Sequence, residues 1–203
     1  MQIQGRIPIS ISPVFFVTAA LIGYLSTESL LGALLWMGVI FFSILIHELG
    51  HALVAYFIGL RPRIELNAFG GITHHGGESL SRARQLLIVL GGPFFSLLLF
   101  LASYLLFHVL TPQNAFIFEV LYVVQWVNLV WTVFNLFPVL PLDGGQVLRL
   151  ILEMIFKRNG TRYALFCSMA FAISLGLLFF FWTYYIVGLF FFFFAYQNYE
   201  SRR

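Results

Sequence analysis

Long stretches without a charged residue set the strongest limit on the fold of this chain. Residues 7–27, 85–118 and 163–199 contain no Asp, Glu, Lys or Arg. A helix of about 20 apolar residues crosses the hydrocarbon core of a bilayer. Because 61% of the residues are hydrophobic and 9% are charged, the composition is typical of a polytopic membrane protein and excludes a single soluble domain.

A cluster of ionisable residues ends one apolar run. Residues 29–46 carry no charge, and His47, Glu48 and His51 follow. In a helix His47 and His51 project from one face, and Glu48 lies roughly 100° further round. Zinc hydrolases use this pattern, with two histidines on Zn²⁺ and a glutamate as general base for the metal-bound water. The other interpretation is a helix whose histidines bond to neighbours and whose glutamate pairs with arginine.

A third metal ligand has to come from elsewhere in the chain. Cys167 is the single cysteine, which excludes a Cys-rich structural zinc site and an internal disulfide. Asp143 stands out, because residues 135–145 hold no other charge but contain two prolines and two glycines. Unwound backbone is tolerated at membrane depth where it lines a protein cavity, which favours Asp143 as a site residue. A cytoplasmic turn is the alternative.

Two motifs about ninety residues apart together resemble the site-2 proteases, zinc metalloproteases that cut substrates inside the membrane. Their residues are His47, Glu48 and His51, followed by Asn135, Pro138, Pro141, Leu142, Asp143, Gly144 and Gly145. The resemblance implies that Asp143 is the third ligand of one Zn²⁺ per chain and that Asn135 lies near the scissile peptide. It also implies a minimal form of the family, without an appended sensor domain.

Other positions bear on this resemblance, which runs over roughly residues 7–199. Phe-Gly-Gly at residues 69–71 and Gly-Gly-Pro at residues 91–93 agree with the family. Glycines at 91 and 92 also let another backbone approach closely. Ser96 departs from the pattern, because the family often carries Asn three residues after that proline. This departure weakens any role for Ser96.

The uncharged stretches predict an all-α polytopic membrane protein with about six transmembrane helices, forming a single domain over residues 1–203. The predicted spans are approximately residues 7–27, 29–59, 85–110, 115–137 continuing to 156, 163–181 and 183–199. With this count and a cytoplasmic N-terminus, all 11 Lys and Arg fall on the cytoplasmic side, as the positive-inside rule requires. Both termini are therefore expected in the cytoplasm.

The polar loop between spans 2 and 3 is predicted to form a short β-hairpin or loop on the cytoplasmic side. Residues 63–69 alternate like a strand, and we expect them to offer an exposed edge to an extended substrate, with residues 69–71 bending that edge toward the metal. His74 and His75 are either metal ligands or plain loop residues. Span 4 should contain an unwound segment, and the five phenylalanines at residues 190–194 should face lipid.

These features predict an intramembrane zinc endopeptidase. His47, His51 and Asp143 would bind Zn²⁺, Glu48 would be the general base, and Asn135 would donate to the developing oxyanion. The substrate would be a membrane-spanning or membrane-tethered protein cut near the cytoplasmic side, and the resemblance implies regulated intramembrane proteolysis.

Two alternatives belong to other classes of protein: a non-catalytic zinc-binding membrane protein and a metal transporter. Neither needs a base at Glu48. The basic residues are scattered and form no contiguous patch, so we expect the lipid bilayer as a partner and no nucleic acid. The sequence does not indicate an oligomeric state.

Overall fold

The structure is a computed structural model that describes residues 2–110 and 113–202. These residues form seven α-helices and four short β-strands, so the predicted helical class is confirmed. Thr111 and Pro112, in the connection between predicted spans 3 and 4, lie outside the described residues, as does the terminal cation Arg203. The chain divides into two compact units, the first comprising Met1–Ser79 and Leu90–Thr132 and the second Leu80–Val89 and Val133–Arg203.

A small sheet belongs to the first unit. In the described residues its strands are β1 (Gln2–Ile3), β2 (Ile9–Ile11), β3 (Arg63–Asn67) and β4 (Gly70–His74), and they lie in that order across the sheet. The β1–β2 and β3–β4 pairs are antiparallel, whereas β2 and β3 are parallel. The hairpin predicted between spans 2 and 3 is confirmed as β3 and β4, and the two N-terminal strands are additional to the prediction.

The first helix is shorter than the uncharged run that contains it. Helix α1 (Pro13–Thr27) begins at Pro13 rather than at residue 7, and Ser12 before it is extended with ψ 135°. Proline suits this first helical position because its missing N–H has no partner there in any helix. Residues 9–11 pair instead with residues 64–66 of β3. The uncharged run of residues 7–27 therefore identified an apolar segment, but it did not show where the helix begins.

Three long helices follow in the chain: α2 (Leu30–Phe57), α3 (Arg82–Leu110) and α4 (Ala115–Asn135). Ser29 begins α2 with a side-chain cap, because its Oγ accepts a hydrogen bond of 3.0 Å from the N–H of Gly32. Such a cap satisfies one of the free donors of the first helical turn. At about 1.5 Å per residue, α2 is longer than a bilayer core is thick.

Two glycines let α2 and α3 touch backbone to backbone within the first unit. A Cβ atom on Gly50 would overlap the carbonyl oxygen of Gly91, and a Cβ on Gly91 would overlap that of Gly50. No other residue fits at either position without a shift of backbone. The close approach predicted at residues 91–93 is confirmed, and it brings Gly92 beside the metal motif of α2.

Strand β3 has a neighbouring strand on each side. It pairs with β2 through residues 64–66 and with β4 along residues 63–67. The turn of the hairpin is at Ala68 and Phe69, and Gly70 and Gly71 are already part of β4. The prediction that residues 63–69 offer an exposed edge is therefore wrong. The bend predicted at residues 69–71 is present at Phe69, and the prediction is wrong for Gly70 and Gly71. Among the described strands, the free edge next to this hairpin is on β4.

The second unit contains the C-terminal helices α5 (Asp143–Phe156), α6 (Gly160–Phe181) and α7 (Tyr185–Glu200), with a 3-10 turn at Lys157–Asn159. Its core joins residues of the segment before α5 to residues of α6 and α7, namely Val139, Leu142, Ala172, Phe191 and Ala195. Since Phe191 is 0% exposed, the prediction that all five phenylalanines face lipid is wrong at this residue.

The predicted unwound segment is present between α4 and α5, at residues 136–142. Polar side chains of the second unit satisfy its backbone. The N–H of Leu140 donates to Ser168 Oγ at 2.7 Å, and the carbonyl of Leu140 accepts from Asn198 Nδ2 at 2.9 Å. In an apolar setting an unwound backbone needs such internal partners, because lipid supplies none.

Four helical stretches in the described chain are long and apolar enough to cross a membrane: Leu30–Phe57, Arg82–Leu110, Ala115–Asn135 and Asp143–Phe181. Pro13–Thr27 is a shorter apolar helix. The protein is an integral, multi-pass membrane protein. The count of six spans, their bounds, the single domain and the side on which the termini lie stay predictions.

Candidate metal centre

His47 and His51 lie one turn apart on α2 and are buried, with 2% and 8% of their surface exposed. Their Nε2 atoms are 3.2 Å apart. Two imidazole nitrogens that face each other at this distance converge on one point, as two ligands of a single ion must. The pairing predicted from the four-residue spacing is therefore present.

The opposite nitrogen of each ring contacts α3. His47 Nδ1 lies 3.0 Å from Ser96 Oγ, and the N–H of Gly92 donates to His51 Nδ1 at 3.3 Å. A hydroxyl can accept from a ring N–H, so the contact with Ser96 suits a His47 whose Nε2 is left for a metal. The contact with Gly92 fixes the position of the His51 ring against α3. Ser96 is fully buried. Its hydroxyl contacts His47 of the metal motif. The sequence did not predict this contact, because Ser96 departs from the family pattern.

Space beside the two Nε2 atoms depends on a glycine. A Cβ atom on Gly92 would overlap Nε2 of His51 and would lie 2.8 Å from Nε2 of His47. On another side the ring of Trp131 meets His47 edge to face, with 6.3 Å between centroids. Two buried imidazoles with convergent nitrogens, next to a position where a side chain is excluded, fit a zinc ion.

Glu48 is buried beside these histidines, with 4% of its surface exposed. Strand β4 packs against it. Thr73 Oγ1 lies 2.7 Å from Glu48 Oε2 and 3.1 Å from the main-chain oxygen of Glu48. A Cβ atom on Gly71 would overlap the Cγ of Glu48. Because a buried carboxylate is costly without a hydrogen-bond donor, the contact with β4 is needed to keep it there.

Asp143 and Asn135 belong to the second unit. Asp143 is the first residue of α5 and is partly buried, in the first helical turn, where the helix dipole favours a carboxylate. Asn135 ends α4 and is buried. A Cβ atom on Gly144 would overlap the carbonyl oxygen of Leu136, so the unwound segment packs closely on the turn that carries Asp143.

The two loop histidines have other partners. His75 Nδ1 accepts a hydrogen bond of 3.0 Å from the N–H of Gly77, and His74 Nε2 lies 3.4 Å from a carboxylate oxygen of Glu65. Burial lowers the pKa of His75; attraction to Glu78 opposes this effect, whereas repulsion from His51 and His74 adds to it. Among the described residues neither histidine joins a group that could hold a metal ion, which argues against a role as metal ligands. His74 is the last residue of β4, and His75 lies in the loop that follows.

Sequence reasoning missed three polar residues that hold the candidate site and the unwound segment. Thr73 is a threonine in a polar loop, where no pattern sets it apart. Ser168 and Asn198 do carry a signal, because each is a polar side chain in the uncharged run of residues 163–199. A polar residue in such a run has to find a partner inside the protein, and both find the backbone of Leu140.

A helical membrane protein with two converging, buried histidines on one helix is a candidate membrane metalloprotein. Residues 111–179 match Peptidase family M50. Zinc metalloprotease MJ0392 of Methanocaldococcus jannaschii is 32% identical over 155 residues, which cover 75% of this chain and 44% of that protein. Stage IV sporulation protein FB of Bacillus subtilis is 33% identical over 139 residues, covering 66% of this chain and 46% of that protein.

A solved structure has a similar fold. The Site-2 Protease from Methanocaldococcus jannaschii matches with a TM-score of 0.67 and 24% identity, over 98% of this chain and 94% of that one. Together with the Peptidase family M50 match, this confirms the predicted resemblance to the site-2 proteases. The chain spans less than half the length of the curated relatives that it matches.

Proposed function

We propose that this chain is an intramembrane zinc endopeptidase that cuts a membrane-spanning or membrane-tethered protein near the cytoplasmic side. The observation that carries the proposal is a buried carboxylate, Glu48, held beside two histidines whose Nε2 atoms converge at 3.2 Å. A transporter or a structural metal site has no use for a base at this position. The name of the relative MJ0392, a zinc metalloprotease, supports the same activity.

The proposed ligands are His47, His51 and Asp143. Two imidazoles and one carboxylate are a donor set that suits zinc, and three protein ligands leave a fourth position for water or substrate, as in catalytic zinc sites. When bound, zinc supplies a polarising charge and a water of lowered pKa. The assignment of Asp143 rests on the family resemblance and on its place in the first turn of α5.

The other residues of the proposed site handle protons and substrate. A carboxylate oxygen of Glu48 takes the proton of the attacking water and then gives it to the leaving amine. Asn135 donates from Nδ2 to the carbonyl oxygen of the scissile peptide. Release of a membrane-tethered regulator into the cytoplasm is the proposed biological outcome.

The substrate is proposed to bind as an added strand on β4. A peptide that is unwound for cleavage exposes backbone groups that cost about 1–3 kcal/mol each when buried without partners. An edge strand supplies such partners. Strand β4 is at the edge of the sheet among the described strands, and its residues Gly71 and Thr73 contact Glu48. The substrate-binding edge, which the sequence predicted at residues 63–69, is therefore proposed to be β4.

Disulfide trapping tests this docking mode. In a Cys167→Ser, Glu48→Gln background, we expect Ile72→Cys, on a residue 49% exposed in β4, to cross-link to substrate cysteines at every second position, because strand side chains alternate. Ile3→Cys on β1, 44% exposed at the other edge of the sheet, is the matched control and should not cross-link. Equal cross-linking at both edges, or none at β4, would place the substrate elsewhere.

Both termini and the β3–β4 hairpin are proposed to lie in the cytoplasm, because the predicted topology puts every Lys and Arg on that side. In a Cys167→Ser background, a membrane-impermeant maleimide should label Asn114→Cys in intact cells. The same reagent should label Glu78→Cys only after the cells have been permeabilised. Labelling of Glu78→Cys from outside would overturn this topology.

A further inference from the structure

We propose that Thr73 is a positioning residue for Glu48, whose hydroxyl holds the carboxylate in the orientation needed for proton transfer. This inference deepens the proposed function and rests on Glu48 as general base. Thr73 does not have to touch the substrate or the metal for this role.

The geometry places the hydroxyl directly on the carboxylate. Thr73 Oγ1 lies 2.7 Å from Glu48 Oε2, close to the length of a charge-assisted O–H···O⁻ bond. Glu48 is buried, so water cannot replace a lost donor without cost. This hydroxyl donates a hydrogen bond to the buried carboxylate.

A hydroxyl suits this position because it can both donate and accept. Its proton has two acceptors within reach, Glu48 Oε2 at 2.7 Å and the main-chain oxygen of Glu48 at 3.1 Å. When the carboxylate is charged, Thr73 donates to Oε2. When Glu48 carries the transferred proton on Oε2, Thr73 can turn its own proton to the main-chain oxygen and accept from Oε2. The contact thus survives both halves of the reaction.

The same strand sets how closely this hydroxyl approaches. Gly71, two residues before Thr73, faces Glu48 as well, and a Cβ atom there would overlap Cγ of the glutamate. Residues two apart in a strand share one face, so β4 lies flat against Glu48 with its hydroxyl at the carboxylate. The position of β4 therefore determines the orientation of the proposed base.

Substitutions that remove only the hydroxyl test this role. Thr73→Val keeps the shape of the side chain, and we expect its kcat for a membrane-embedded reporter to fall on the order of 10- to 100-fold, as for a misplaced catalytic group. KM and bound zinc per chain should match the native protein, because strand addition on β4 uses the backbone of Thr73 and the substitution changes only its side chain. Thr73→Ser should restore kcat to within about threefold of native, and Thr73→Ala, which differs from it by one oxygen, should remain as slow as Thr73→Val.

Three outcomes would overturn the inference. The first is a native kcat for both Thr73→Val and Thr73→Ala. The second is an equal loss in Thr73→Ser and Thr73→Ala, which would assign the effect to packing. The third is loss of zinc in the variants that lack the hydroxyl. Failure of the proposed function itself gives a different result, since Glu48→Gln would then cleave at the native rate whatever stands at position 73.

Discussion

Glu48→Gln should abolish cleavage almost completely and leave one zinc bound per chain. Glutamine keeps the size of the side chain and can still accept a hydrogen bond from Thr73, which lies 2.7 Å from the carboxylate. It cannot take a proton from water. Since a positioned general base contributes roughly 10²- to 10⁴-fold, kcat should fall by about 10³-fold.

The measurement is cleavage of a single-span reporter in lipid vesicles, with the zinc content of the same sample determined by elemental analysis. Glu119→Gln is the matched control, because it removes the same charge from an exposed position in α4. The control should cleave at the native rate. Full activity of Glu48→Gln with full zinc would contradict the assignment of Glu48 as base.

Asp143→Ala and His51→Ala should lose the metal as well as the activity. Loss of one of three protein ligands leaves a site too weak to retain zinc through purification. We therefore expect bound zinc to fall from one per chain to near zero in each variant, and cleavage to fall to background. Asp143→Ala is the more informative of the two, because the role of Asp143 is proposed from the resemblance.

His108→Ala is the control for the histidine variant, since His108 is an exposed residue of α3 that bonds to the carbonyl oxygen of Tyr104 at 2.9 Å. It should keep both zinc and activity. If Asp143→Ala also keeps its zinc, a different residue is the third ligand. A chelator titration of each variant then ranks the affinities that remain.

The pairing of His47 with His51 was predictable from the sequence because it is local. Their spacing of four residues sets their common face as soon as the segment is helical. The long charge-free run before them, which forms most of α2, makes a helix the expected structure in a membrane. Likewise, prolines and glycines in residues 135–145 predicted the unwound segment, because they prevent a continuous helix.

The sheet was predictable only in part, because strand pairing joins residues far apart in the chain. The β3–β4 hairpin is closed by a short turn and has a local pattern. The pairing of residues 9–11 with residues 64–66 has no local sequence pattern. A strand of three residues is also too short to show the alternation of apolar and polar residues that marks a strand. This second pairing is what covers β3 and leaves β4 at the edge.

Contacts of single polar side chains with the site could not be predicted either. Nothing in the sequence around Thr73 or Ser96 indicates that the one meets Glu48 and the other His47. Both contacts depend on how β4 and α3 pack on α2. Phe191 illustrates the same limit, since a run of phenylalanines does not reveal which of them faces the protein core.

Removal and return of the metal tests the central claim most directly. The native protein, reconstituted with a single-span reporter, should stop cleaving when a chelator strips it. One equivalent of zinc per chain should restore cleavage, and the cut should map within the membrane segment of the reporter. Cleavage that persists in the stripped protein, or a zinc-loaded protein that cuts no membrane-embedded reporter, would contradict an intramembrane zinc endopeptidase.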